Sequence, residues 1–202
     1  MNTLKAEKRD MQTKAKKLRR EGLVTGIVFG REFERSIPSK ITQKDAERLV
    51  KTNKKGSQVM LEVGGQTYDA LIKEIDYNAL KNQIEEIDFQ ALVSGEKVHS
   101  VAEIILLNHE KVTTGVVQQL LQEISYKAVP AALVEKVEID VGSMKAGDTI
   151  KVKELSIAAD NEIDMLTDPE LAVVTVSEVH NAEPEESKTE EGGKEAAKEA
   201  AK

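Results

Sequence analysis

Cysteine and tryptophan are absent from this 202-residue chain, and aromatic residues make up only 3% of it. Without cysteine there can be no disulfide framework, thiolate metal site or cysteine nucleophile, which fits a cytoplasmic protein. With so few rings, any core must be built from Val, Ile, Leu and Ala. No apolar run approaches the roughly 20 residues of a membrane-spanning helix; the longest candidate lies around Ile104 to Leu107. The N-terminus, MNTLKAEKRDMQTKAKK, has no apolar segment of the kind that marks a secretory signal. These absences predict a soluble protein with no membrane partner.

Charge is plentiful and unevenly placed. The net charge is -7, which taken alone argues against a nucleic-acid binder. Met1 to Lys55, however, holds 16 Lys and Arg against 7 Asp and Glu. The remainder must therefore be strongly acidic, a layout that suggests a basic binding face on an acidic body.

Patterning predicts a mainly β chain with a few short helices. Leu4 to Arg9 alternates like a short strand. Thr13 to Glu21 reads as a very basic helix stopped by Gly22. Val24 to Phe29 reads as a buried strand. Thr42 is placed to cap a helix running to about Val50, with Asp45 at its third position. Ser57 to Val63 and Gln66 to Glu74 flank Gly64-Gly65, a two-residue hairpin signal. Ile84 to Leu92 adds another strand, and a small β-barrel is the natural closure. Ser94-Gly95-Glu96-Lys97 reads as a domain junction. Beyond it the pattern is almost all strand: Val98 to Leu107, Val116 to Val129, Lys136 to Val141, Thr149 to Leu155, Glu162 to Leu166 and Leu171 to Val179. The turn-rich stretch Gly142 to Asp148 has room for one helical turn. From Asn181 the composition falls to Glu, Lys, Ala, Gly and Ser, from which no core can form. The predicted organisation is residues 1–93, a barrel domain; 94–180, a β-rich domain; and 181–202, a disordered charged tail.

The enzyme signatures fail. His99, His109 and His180 are scattered without metal-ligand spacing. Gly26 to Gly30 and Gly142 to Gly147 lack the Lys-Ser/Thr ending of a phosphate loop. Asp160 and Asp164 do not fit a calcium loop. No cofactor and no catalytic residue is expected.

Several blocks carry a family resemblance. Leu4-Lys5-Ala6-Glu7-Lys8-Arg9 is followed by Lys16-Lys17-Leu18-Arg19-Arg20-Glu21-Gly22 and by Gly26-Ile27-Val28-Phe29-Gly30. Leu80-Lys81-Asn82 leads to Ile87-Asp88-Phe89-Gln90. Gly95-Glu96-Lys97-Val98, Val116-Val117-Gln118-Gln119 and Leu166-Thr167-Asp168-Pro169 follow in order. Together they resemble the bacterial large-subunit ribosomal protein family that binds 5S rRNA, in its longer two-domain form, that of the general stress protein Ctc. The resemblance implies a six- or seven-stranded barrel with helices that binds 5S rRNA in the large ribosomal subunit, a β-rich second domain and a cytoplasmic, ribosome-associated protein that is monomeric when free. It points to Arg9 and Arg19 as RNA contacts.

The residues themselves add Lys14, Lys16, Lys17 and Arg20 as cations for phosphate, and Phe29 and Tyr77 as rings for base stacking. At helical spacing Lys16, Arg19 and Arg20 share a face, and Leu18 points inward. The chain departs from the family pattern at Thr25 (usually Pro), Phe29 (usually Tyr), Asp76-Tyr77-Asn78-Ala79 and Glu86 (usually His). The other function class open to the sequence is a stress-related adaptor that binds a protein through the acidic second domain and tail.

Overall fold

The computed structural model describes residues 3–31, 33–113 and 115–178. The charged tail expected from Asn181 lies outside the described residues.

Six strands build the first region: β1 (Thr3–Lys8), β2 (Leu23–Phe29), β3 (Ile37–Thr42), β4 (Gln58–Val63), β5 (Gln66–Asn78) and β6 (Gln83–Ala91). They form a closed barrel in the order β1-β3-β2-β6-β5-β4, with β4 pairing back to β1. The β1–β4 and β2–β6 pairs are parallel and the rest antiparallel. Closure leaves no strand edge unpaired. Alternation sets which side chains enter the core. Val59, Leu61 and Val63 of β4 are buried, while Gln58, Met60 and Glu62 between them are only half-buried. Val24, Val28, Ile41, Ile72, Ile87 and Phe89 share the interior with them.

The predicted turns and cap form. Gly64 and Gly65 both have positive φ, +60° and +87°, as a tight hairpin between β4 and β5 requires. Helix α1 (Ala15–Arg20) joins β1 to β2, and α2 (Gln43–Thr52) joins β3 to β4. The Thr42 hydroxyl caps α2 by accepting from the Asp45 backbone N–H at 3.2 Å. Ala46 and Leu49 of α2 lie in the barrel core. Strand β5 outruns its predicted end at Glu74 and reaches Asn78, with register irregularities at Ile72/Glu74 and Asp76/Tyr77. Pairing with β6 sustains it where its own alternation fails.

The second region contains β7 (Val98–Leu107), β8 (Val116–Gln119), β9 (Glu123–Ala128), β10 (Lys136–Asp140), β11 (Thr149–Lys151), β12 (Ile163–Met165) and β13 (Ala172–Ser177). They form two open sheets, β10-β7-β9-β12 and β11-β13-β8, over a core that includes Ile104, Tyr126, Val137 and Val174. The run Val116 to Val129 is therefore two strands in different sheets, not one. The chain changes sheets at Leu120–Gln122, where the Leu120 and Leu121 N–H groups both reach the Val173 carbonyl. The Gln119 amide supports the crossing by donating to the Ile104 and Leu121 carbonyls at 3.1 and 3.0 Å. The strand predicted to reach Leu155 stops at Lys151 and becomes two 3-10 turns that bury Val152, Leu155 and Ile157. Gly142 to Asp148 folds as turns without a helix.

The two regions meet through polar contacts and a small apolar cluster. Lys54 pairs with Glu103, and Lys55 with Glu123 at 3.6 Å. The Gln58 N–H donates to Glu135 at 3.3 Å, and Lys73 donates to the His99 carbonyl at 3.0 Å. Leu71 and Leu92 pack with Val98, and Leu133 packs against them. Gly56, at φ +86°, sits so close to β7 that a Cβ there would strike the Val101 carbonyl oxygen. Two lysines of the basic N-terminal segment are thus engaged inside the molecule.

Candidate nucleic-acid interface

Helix α1 is the basic element of the barrel, and its packing fixes which cations point where. Leu18, only 6% exposed, anchors it. Gly22, at φ +79°, ends it in a left-handed conformation. Lys17, Arg19 and Arg20 fall in the last turn, where the helix dipole favours cations. The loop before it is held by Arg9, whose guanidinium donates to the Thr13 carbonyl at 3.0 Å.

With Leu18 turned inward, Lys16, Arg19 and Arg20 face one concavity. Its other walls are Gln43 at the start of α2, Lys81 in the β5–β6 turn, and Gln83, Ile84 and Glu85 of β6. The turn is shaped locally: Asn78 accepts from the Lys81 N–H at 3.2 Å, and Asn82 takes a positive φ of 52°. Among the described residues, Lys16, Arg20 and Lys81 make no ion pair. Three free cations and two side-chain amides therefore line one groove.

Arg19 differs from its neighbours. Its Nη1 lies 3.0 Å from Glu85, its Nη2 3.5 Å from Glu86, and its Nε donates to the Glu85 carbonyl at 3.2 Å. The guanidinium ties α1 to β6. Thr25 makes a second tie there, its hydroxyl donating to the same carbonyl at 3.3 Å.

The outer face of β5 and β6 is acidic beside this groove. Glu74 stands opposite Asp88 and Asp76 opposite Glu86, two like-charged cross-strand pairs. Burial and Asp88 raise the pKa of Glu86, with Arg19 and Arg9 pulling the other way. Burial likewise raises Asp88, although it accepts from the Ile27 N–H at 3.2 Å. Glu86 thus places a carboxylate within the field of two arginines.

The remaining sequence-predicted residues fall elsewhere. Lys14 is exposed just before α1, and Lys17 pairs with Glu21 at 4.0 Å; neither lines the groove. Phe29 is half-buried at the end of β2, opposite Gln90. Tyr77, 54% exposed, lies in a neighbouring concavity with Glu47, Val50, Lys51, Asn82 and Ile84, its hydroxyl bonded to the Asn82 side chain. Ile84 lines both concavities, so they adjoin along the start of β6. Sequence reasoning missed Gln43, Lys81 and Gln83. Lys81 was visible inside the block Leu80-Lys81-Asn82, but only the fold shows it facing α1.

Among the described residues no cluster of His, Asp and Glu is arranged to hold a metal, and no helix is long and apolar enough to cross a membrane.

Comparison with known proteins covers both regions. The model of the ribosomal L25p family matches residues 4–89, and that of the ribosomal protein TL5 C-terminal domain matches residues 97–180. Among curated relatives, the large ribosomal subunit protein bL25 of Caldanaerobacter subterraneus is 29% identical over 195 residues, spanning 94% of this chain and 96% of the relative. The bL25 of Exiguobacterium sibiricum is 28% identical, over 87% of this chain and 79% of its own. That of Bacillus velezensis is 26% identical, over 87% and 88%. Both matched segments coincide with folded regions described above, and the chain belongs to the ribosomal L25p family, in the long form that carries a TL5-type C-terminal domain.

Proposed function

We propose that this chain is a structural, non-enzymatic protein of the large ribosomal subunit whose barrel, residues 1–93, binds 5S rRNA. The observation that carries this reading is the groove in which Lys16, Arg20 and Lys81 converge without internal acidic partners. Free ammonium and guanidinium groups on a rigid wall can neutralise successive phosphates and release their counterions. Gln43 and Gln83 add donors and acceptors that can reach sugars or base edges. Arg9 and Arg19 flank Glu86, and Arg19 holds the α1 wall against β6. Lys14 and Lys17 add attraction from outside the groove, and Phe29 and Tyr77 offer rings beyond it. The β-rich region, 94–180, stands apart from this contact. On this reading the free protein is a monomer, found in the cytoplasm on ribosomes.

The test is a gel-shift titration with 5S rRNA across a range of salt. Arg20→Ala and Lys81→Ala each weaken binding and lower the salt dependence by about one phosphate contact. Lys17→Ala, outside the groove, has a smaller effect. Absence of a salt-sensitive complex at low ionic strength rejects the reading.

A further inference from the structure

A β-bulge aims one lysine of the barrel at the second region. In the β5–β6 ladder Ile72 pairs with Phe89 and Glu74 with Asp88, so Lys73 has no partner between them. Bulges of this kind re-aim side chains and are common beside functional sites. The half-buried Lys73 ammonium donates to the His99 carbonyl of β7 at 3.0 Å, which leaves two of its three N–H groups free. On β7, His99 alternates with the buried Val98 and Ser100; on β9, Lys127 alternates with the buried Tyr126 and Ala128. His99 and Lys127 are direct cross-strand partners, so their side chains are neighbours on one outer face of that sheet. Lys55 closes the other side. It lines a cleft with Lys73 and His99, and it pairs with Glu123, which alternation places on the same outer face as Lys127.

Cations packed this way repel one another. Burial and then Lys55 lower the pKa of Lys73, with Glu74 pulling the other way. Partial desolvation, then Lys127 and Lys73, lower that of His99 below its usual 6.5. Two of the three acids at the border are engaged. Asp164 of β12 stands opposite Lys127 but is bound by Lys97 at 2.7 Å, and Glu123 is held by Lys55 at 3.6 Å. Among the described residues, Lys73 and Lys127 make no ion pair. We infer that Lys73, His99 and Lys127 form a phosphate-binding site across the junction of the two regions. A phosphate group suits them better than a carboxylate, because it offers three oxygens to three separate donors and carries enough charge to relieve their repulsion. The flanking Glu74, Glu123 and Asp164 restrict the site to a compact anion and turn away an acidic polypeptide. The site is separate from the α1 groove and does not rest on the 5S rRNA reading. The chemistry is the same for a free phosphate and for the backbone of a nucleic acid.

The test follows the His99 ring of the full-length protein by NMR through pH titrations. Inorganic phosphate raises the His99 pKa by about one pH unit, because a nearby anion favours the imidazolium. Sodium chloride or acetate at equal ionic strength leaves it in place. The double variant Lys73→Met, Lys127→Gln loses the repulsion, so its His99 pKa starts higher and phosphate no longer moves it. Lys145→Gln removes a charge from the turn between β10 and β11 and keeps the full response. A second arm identifies the source: a short RNA duplex is added to the Arg20→Ala, Lys81→Ala variant, whose groove is disabled. A His99 response there at a lower concentration than phosphate requires assigns the site to an RNA backbone, and a response to phosphate alone assigns it to a free phosphate. The inference is overturned if neither probe moves His99, if acetate moves it as far as phosphate does, or if the Lys73→Met, Lys127→Gln variant responds like the native chain.

Discussion

The barrel and the β-rich region solve the same problem, covering a β core made without many aromatic rings, in opposite ways. The barrel closes its six strands into a ring and carries the basic groove. The second region leaves two open sheets, finishes its core with 3-10 turns, and is acidic. Closure brings the barrel's backbone as close as Gly26 to the Ile87 carbonyl, and the open region, for all its irregular chain paths, has a close approach of its own at Gly115 against the Ser177 carbonyl. The structure ties the two together through the charge difference itself, as Lys54 and Lys55 meet Glu103 and Glu123.

The sharpest way to break the comparison is at Gly26. A Cβ there would collide with the Ile87 carbonyl oxygen of the adjacent parallel strand. Gly26→Ala should destabilise the barrel by roughly 3–5 kcal/mol, the range of severe core lesions. Urea unfolding followed by amide exchange should show the loss in β2 and β6, with β7 and β9 little affected. An unchanged midpoint would mean that ring closure is less exacting than the geometry implies.

Gly56→Ala comes next. It meets both a positive φ and the Val101 carbonyl, so about 1–3 kcal/mol should be lost from the contact between regions. Small-angle scattering should report a larger radius of gyration for this variant, while the groove still binds RNA. Thr42→Ala removes the cap of α2 and should cost about 1 kcal/mol, read as a lower thermal midpoint.

The smallest effect is expected at Glu86. Its pKa is raised above the usual 4.5, so the folded barrel binds its proton more readily than the unfolded chain does. The barrel therefore gains stability from this group as pH falls from the raised value toward 4.5, and loses it as pH rises. Asp88 titrates in the same sense. Glu86→Gln should flatten part of that slope in thermal melts at several pH values. It also removes an anion from between Arg9 and Arg19. RNA affinity at neutral pH should rise roughly twofold to fivefold, the scale of one partly exposed ion pair. A fall in affinity would show that Glu86 serves the complex.

Local rules carried the sequence reading where local physics decides the structure. The alternation of Val59, Leu61 and Val63, the Gly64-Gly65 turn and the Thr42–Asp45 cap all depend on neighbours within a few residues. So did the inward turn of Leu18 that leaves Lys16, Arg19 and Arg20 on one face. The run from Val116 to Val129 misled because its change of sheet at Leu120 is set by a distant acceptor, Val173. Arg19 and Glu85 are likewise 66 positions apart, so their pairing leaves no trace in local spacing. Lys81 joined the groove only once the β5–β6 turn was folded toward α1.

The ring order has a consequence for how the protein is made. The first strand is held between β3 and β4, and β2 lies beside β6, whose last residue is Ala91. Such pairings span long stretches of chain and form late. During synthesis, helix α1 emerges well before the β5–β6 turn that supplies the facing wall of the groove. A growing chain therefore displays the cations of α1 early, but the groove they line takes shape only after β6 has cleared the exit tunnel and the ring has closed.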